Sequence, residues 1–402
     1  MSNENTSISF LCIASFYKGE DFLRYCKAAG NKVYLITSKH LENELWPWES
    51  IDETFYMEAD EKEDWNMDDV IAGLAYAMRS RKIDRVVALD DFDIEKAALV
   101  REHFRIPGMG QTTYRYFRDK LAMRVRAADA GISVPAFSSV FNDEAITAYT
   151  KNVSPPWVLK PRSEASATGI KKIQSAEELW KVLEMVGDER HLYLIEQFKP
   201  GDVYHVDSLS VEGKVVFARV SQYLNTPMEV AHGGGIFRSH TIPFGSKDDK
   251  ALQQMNAKVM KAFGMQFSAS HTEFIKCKDD GKFYFLETAS RVGGAHLAEM
   301  VEYSSGINLW GEWARIETAA ALGTPYTLPK VKKDHAGIVV SLARVPHPDT
   351  SSFDDPEICW RLAKEYHVGM IVKAKKRDRI LELLDNYADR IFQDFHASAP
   401  SD

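Results

Sequence analysis

Cysteine is scarce in this chain: four in 402 residues, at positions 12, 26, 277 and 359, with no close pair among them. That spacing excludes a zinc finger, a thioredoxin-like redox motif and a disulfide scaffold, and leaves the four as reduced, buried thiols. No apolar run reaches the roughly 18 residues that span a bilayer, and the opening MSNENTSISF lacks the basic-then-apolar order of a signal peptide. A membrane is therefore not expected as a partner, and a cytoplasmic location is. Basic clusters are short (Lys171-Lys172, and Lys373 to Arg377) and the formal net charge is −8, which argues against nucleic acid. Internal repeats and low-complexity segments are lacking too. What remains is an ordinary globular composition, 45% hydrophobic and 27% charged, in a chain long enough for two or three domains.

Periodicity divides the chain. Apolar bursts at 8–14, 32–37 and 84–90 alternate with helical patterns at 20–29, 67–81 and 94–103, which predicts βα units and a parallel sheet covered on both faces. The turn-rich Ile106-Pro107-Gly108-Met109-Gly110 places a boundary near 110. One basic helix over 112–131 follows, ending at Gly131. Strands at 134–140, 156–162 and 192–198 then alternate with helices at 143–151 and 175–186. Beyond 200 the strands crowd together: YHVDSLSV and KVVFARVSQYL with a hairpin turn at Glu212-Gly213, a helix at 250–263, then ASHTEFIKC and KFYFLETA around the turn DDGK. This half reads as antiparallel. The tail from about 311 reads as one helix, the strand HAGIVVSLARV and a last helix over 377–395, a smaller closing lobe. The fold class is thus α/β at the start and α+β later.

Chemistry concentrates in HTEFIKCKDDGKFYFLETASR. Glu273 and Glu287 stand fourteen residues apart on strands that the DDGK turn pairs antiparallel, so two carboxylates meet on one sheet face. Flanked by apolar alternation, they point to a cleft in which a cation is their natural partner, and an all-oxygen set suits Mg²⁺ arriving with a nucleotide. Arg291 and then Gly293-Gly294 follow, a guanidinium and flexible backbone suited to charge developing on a phosphoryl or acyl oxygen. Taken alone this motif also fits a surface hairpin with a salt-bridging arginine. Lys160 emerges from the run WVL into a small-residue loop with Ser163, Ser166, Thr168 and Gly169, a pattern suited to gripping phosphate. Glu196, Gln197 and Phe198 end a strand before Pro200-Gly201, a hinge whose backbone can meet an adenine edge. His232 to Arg238 contains three glycines but opens no helix, so it is not a dinucleotide loop. His271 and His296 flank the glutamates as structural histidines.

In this order the pieces resemble the ATP-grasp superfamily, specifically its carboxylate–amine ligases such as the L-amino acid ligases, and also the ATP-binding domains of biotin carboxylase and carbamoyl phosphate synthetase. The resemblance covers roughly residues 1 to 310. It implies an N-terminal Rossmann-like sheet domain (1–110), an ATP-grasp domain (111–310, with a lid at about 130–200) and a C-terminal lobe (311–402). It further implies that Lys120 and Lys160 contact ATP phosphates, that Ser163 to Gly169 close over them, and that Glu196, Gln197 and Phe198 hold adenine. Glu273 and Glu287 would carry one or two Mg²⁺ ions, with Mn²⁺ as an alternative, and Arg291 would steady an acyl phosphate. Asp202, His205 and Asp207 are the candidates for ribose, and Arg238 for a substrate carboxylate. The family motif Glu-x-Asn-x-Arg reads Glu287-Thr288-Ala289-Ser290-Arg291 here, so a third metal ligand is missing. The implied activity joins a small-molecule carboxylate to an amine with release of ADP and phosphate, in a chain for which a homodimer is compatible. A bicarbonate-activating enzyme and a catalytically silent nucleotide-binding protein are the rival expectations.

Overall fold

In a computed structural model of the chain, residues 7–60, 64–164 and 168–397 are described, with 231–233 as backbone only. The first unit comprises β1 (Ser9–Ala14), α1 (Glu20–Ala28), β2 (Lys32–Ser38), β3 (Glu53–Met57), α2 (Met67–Ala77), β4 (Arg85–Ala88) and α3 (Ile94–Phe104). Its strands are parallel in the order β3-β2-β1-β4. Every residue of β1 is buried: Phe10, Cys12 and Ala14 enter one core, Leu11 and Ile13 the other. A strand covered on both faces must be apolar throughout, which is why it reads as an unbroken run. The edge strand β3 carries no such signal because it is only half-buried.

The single helix expected over 112–131 is broken into α4 (Gln111–Tyr114), a short 3₁₀ turn and α5 (Lys120–Asp129). Asp119 makes the break: its backbone is extended, and its carboxylate accepts from the amides of Leu121 and Ala122, the bonds of an N-cap. Arg162 clamps the same carboxylate.

A small antiparallel sheet follows, built from β5 (Phe137–Ser139), α6 (Asp143–Asn152), β6 (Trp157–Pro161), β7 (Lys171–Ile173), α7 (Ala176–Val186) and β8 (Tyr193–Gln197), in the order β5-β8-β6-β7. It has its own core around Trp157, Ile146 and Leu179.

The remaining strands form one eight-stranded antiparallel sheet. These are β9 (Gly201–Val211), β10 (Lys214–Tyr223), β11 (Phe237–Thr241), β12 (Ser268–Cys277), β13 (Phe283–Ala289), β14 (His335–Leu342), β15 (Ile358–Arg361) and β16 (His367–Ala374), in the order β13-β12-β9-β10-β11-β14-β16-β15. The helices are α8 (Pro227–Gly233), α9 (Lys247–Phe263), α10 (Leu297–Ser305), α11 (Leu309–Leu322) and α12 (Arg377–Asp394). Glu212 and Gly213 both adopt positive φ, 49° and 76°, so the β9–β10 turn has the twist a tight hairpin requires.

The tail, expected as a smaller closing lobe over 311–402, divides between the large sheet and the first unit. Strand β14 pairs with β11 and extends the large sheet, while α11 returns to the first unit, where Trp313 meets Phe22 of α1 with ring centres 5.0 Å apart. Among the described residues no helix is long and apolar enough to cross a membrane.

Helix α12 lies directly on β14 at Gly337, where an added Cβ would fall 2.5 Å from Ile380 Cγ2 and 2.7 Å from Leu384 Cδ1. Gly337→Ala should therefore overpack this core and cost about 1–3 kcal/mol in chemical denaturation. An unchanged midpoint would show that the helix docks loosely.

Candidate functional site

The DDGK turn pairs β12 with β13 so that Glu273 stands directly opposite Glu287. Directly opposed residues share a face. Phe274 and Phe285 fill the core behind, and both glutamates line a cavity of about 700 Å³ with Lys120, Lys160, Glu196 and Arg291.

Several of the cavity's charges are paired. Lys120 Nζ, at the start of α5, lies 3.0 Å from Glu287 Oε2 and donates to the Glu164 carbonyl at 2.6 Å. Lys160 Nζ donates to Glu196 Oε1 at 2.5 Å, and Arg124 Nε donates to Glu196 Oε2 at 2.8 Å. Arg124, one helical turn past Lys120, also donates to the Leu286 carbonyl and so ties α5 to β13. Burial works against the charged form of Glu196, but Arg124 and Lys160 outweigh it and hold its pKa below the ordinary carboxylate value. Burial likewise raises and Lys120 and Lys160 lower the Glu287 pKa, which settles at about 2. The Lys160 ammonium is pulled down by burial, with Glu196 opposing.

Arg291 reaches across to the first unit, where its Nη2 donates to Asp91 Oδ2 at 2.8 Å; Lys18 pairs with the adjacent Asp90 at 2.9 Å. Burial opposes the Arg291 charge, and Asp91 and Asp90 raise its pKa all the same. The loop after β4 thus brings Asp91 to the cavity edge, with Asp90 beside it, neither of which stands out in the sequence. Arg124 was missed as well, though its four-residue spacing from Lys120 puts both on one helix face.

The other expected site residues are placed as follows. Glu196 lines the cavity with its carboxylate engaged as the counter-ion of two cations. The backbone amides of Gln197 and Phe198 are already given to the Ala136 and Pro156 carbonyls, at 2.7 and 3.0 Å. Gln197 and Phe198 do line the cavity, and Lys172 Nζ sits 3.9 Å from the centre of the Phe198 ring. None of the three ribose candidates lines it. Asp202 projects from the other face of β9 and pairs with Lys278 at 3.4 Å. His205 and Asp207 share the cavity's face but are fully buried, covered by Tyr223 and His271.

Arg238 is also displaced. Strand alternation gives the cavity its neighbour Phe237 and turns Arg238 toward α12, where it pairs with Asp385 at 2.6 Å. In the small-residue loop, Thr168 lines the cavity, Ser163 lines a separate cleft of about 1430 Å³ beside α4 and α5, and Ser166 lies outside the described residues. Gly169, at φ 69°, rests against the Pro161 ring, where a Cβ would come within 2.9 Å. Gly234, at φ 60°, ends α8 rather than opening a helix.

His296 pairs with Glu299 at 2.8 Å. His271 bonds to Asp207 at 2.8 Å; burial lowers and Asp207 raises its pKa, to about 9. Ala289, in the place of the asparagine, lines the cavity without a side-chain oxygen to offer.

Residues 153–299 match the ATP-grasp domain. The chain is similar to an L-arginine-specific L-amino acid ligase of Bacillus subtilis, 25% identical over 236 residues, which is 56% of this chain and 56% of that protein. It spans little more than half the length of the curated relatives it matches. In three dimensions it resembles an L-amino acid ligase from Bacillus licheniformis (TM-score 0.73, 16% identity, 97% of this chain and 98% of that one). It resembles a biotin carboxylase from Campylobacter jejuni nearly as well (TM-score 0.72, 16% identity, 98% and 92%). Residues 153–299 thus match an ATP-grasp domain, and the chain shares the fold of these two solved enzymes over almost its whole length.

Proposed function

We propose that this protein is an ATP-dependent carboxylate–amine ligase, forming an amide through an acyl phosphate with release of ADP and phosphate. The observation that carries this reading is the gathering of two opposed carboxylates, two lysines and an arginine in one cavity. Its volume suits a nucleotide-sized ligand, and its oxygen donors beside lysines suit Mg²⁺ and phosphate rather than a softer metal.

Glu273 and Glu287 would hold Mg²⁺, which neutralises charge on the phosphoryl oxygens. Lys120 and Lys160 grip the phosphates, and Glu196 with Arg124 keeps Lys160 aimed at them. Gln197 and Phe198 wall the base. The substrate carboxylate attacks the γ-phosphate in line, giving the acyl phosphate and ADP. An amine then attacks the acyl carbon while Arg291, braced by Asp91, stabilises the oxyanion, and phosphate leaves. The loop from Ser163 to Gly169 excludes water that would hydrolyse the intermediate. Four unpaired cysteines fit a reducing, cytoplasmic setting.

The amine acceptor is favoured over bicarbonate by the curated relative, which is a ligase. A phosphate-release screen over pairs of amino acids, with a bicarbonate-plus-biotin arm, tests the choice. ADP release that requires two amino acids, with a product of the condensed mass, is expected. Bicarbonate-dependent release without an amine would replace the ligase reading, and ADP binding without turnover on any pair would point to a silent protein.

A further inference from the structure

Beside Glu273, on the same face of the sheet, runs a chain of buried polar side chains bonded to one another. Tyr223 Oη donates to Glu273 Oε1 at 2.9 Å, and His271 Nε2 lies 3.4 Å from the same hydroxyl and 3.7 Å from the carboxylate. His271 Nδ1 bonds to Asp207 Oδ1 at 2.8 Å; Asp207 Oδ2 takes His205 Nδ1 at 2.7 Å, and His205 Nε2 meets Ser239 Oγ at 2.8 Å. His205, Asp207 and Ser239 have no exposed surface. A buried carboxylate is costly unless hydrogen-bonded, and Asp207 is held by one imidazole on each oxygen.

Asp207 also reaches the loop beyond Arg291. A Cβ added at Gly293 would fall 2.8 Å from Asp207 Oδ1 and 2.9 Å from His271 Nδ1, so this backbone rests directly on the pair. One buried carboxylate therefore braces His271, which faces Glu273, and packs against the backbone at Gly293.

We infer that Asp207, His271 and Tyr223 are positioning residues that hold the Glu273 carboxylate toward the cavity and so set the divalent-metal affinity of the site. This rests on the reading that Glu273 and Glu287 bind Mg²⁺. Carboxylates that ligate metals are themselves commonly fixed by such hydrogen bonds, and losing them typically weakens metal binding about 10- to 100-fold. The nitrogens of His205 and His271 and a carboxylate oxygen of Asp207 also lie within 4.8 Å of one another, a spacing a transition metal could use. Hydrogen bonds to Asp207 and Ser239 already engage three of the four imidazole nitrogens, and the fourth faces Tyr223, so we assign a proton-bonded chain and not a second metal.

The test is Mn²⁺ binding to the protein–ADP complex, followed by electron paramagnetic resonance, in the wild type and in Tyr223→Phe, His271→Asn and Asp207→Asn. Asparagine at 271 can keep the bond to Asp207 and withdraws the end that faces Glu273. The Mn²⁺ Kd is expected to rise about 10- to 100-fold in each variant, with metal-free ADP affinity unchanged. Combining Tyr223→Phe with Asp207→Asn should cost less than the product of the two, because both act on one carboxylate. A merely structural role would lower the melting temperature and leave the Mn²⁺ Kd alone. If Asp207→Asn fails to fold, the other two variants decide. The inference is overturned by folded Tyr223→Phe and His271→Asn proteins whose Mn²⁺ Kd stays within about twofold of wild type, or by an equivalent of zinc that survives dialysis against chelator. A wild type that binds ADP but no Mn²⁺ would instead remove the metal reading itself, a distinguishable result.

Discussion

Glu287→Gln is expected to abolish ATP turnover while leaving the fold intact. The substitution keeps the shape of the side chain and removes the charge that faces Lys120 at 3.0 Å and opposes Glu273 across β12 and β13. A metal's charge stabilisation is worth several kcal/mol and each 1.4 kcal/mol is tenfold in rate, so ADP release should fall roughly a hundred- to a thousandfold. The same change leaves Lys120, Lys160 and Arg124 less neutralised, so ADP binding without metal should hold or tighten. Loss of turnover together with retained metal-free binding is the signature that separates a missing metal ligand from a collapsed site. Full activity in this variant would sink the metal assignment.

Glu196→Ala carries the largest expected effect on stability. It strips the counter-ion from Lys160 and from the fully buried Arg124, and breaking a buried pair from one side typically costs about 3–5 kcal/mol because the orphaned charge stays desolvated. Chemical denaturation reads the loss directly. If Glu196 instead served only a nucleotide base, the variant would leave stability unchanged, so the denaturation midpoint separates the two roles. The pH dependence has a definite sign. The native Glu196 pKa is lowered, so its contribution is fully present above the unfolded-state value of about 4.3 and is lost as pH falls through the native value. Glu196→Gln should lose stability at neutral pH and flatten the acid limb of the curve.

Much of the architecture was legible in the sequence because its signals are local. The run at Ser9–Ala14 announces a strand buried on both faces, Glu212-Gly213 announces a hairpin, and the DDGK turn with fourteen-residue spacing announces the opposed glutamates. Signals failed where the determinant was a partner far along the chain. Asp119 breaks a helix whose pattern looks continuous, in part because Arg162 holds its carboxylate. Strand β3 is an edge with half-buried residues, and β14 reveals nothing in its own residues about joining β11.

The site divides along the same line. By itself the sequence determined which chemical groups are available: two carboxylates on adjacent strands, Lys120 and Lys160, Arg291, and an alanine at 289 where the family motif has asparagine. These follow from strand period, turn chemistry and motif order, all of which act over a few residues. Only the tertiary structure decided which way each group faces and what it is bonded to. It turned Arg238 onto Asp385, placed Glu196 under two cations and hid His205 and Asp207 behind Tyr223 and His271. The physical reason is that a buried charge is governed by the nearest charge in space, and Arg124 and Glu196, 72 residues apart in the chain, meet at 2.8 Å only once the chain has folded.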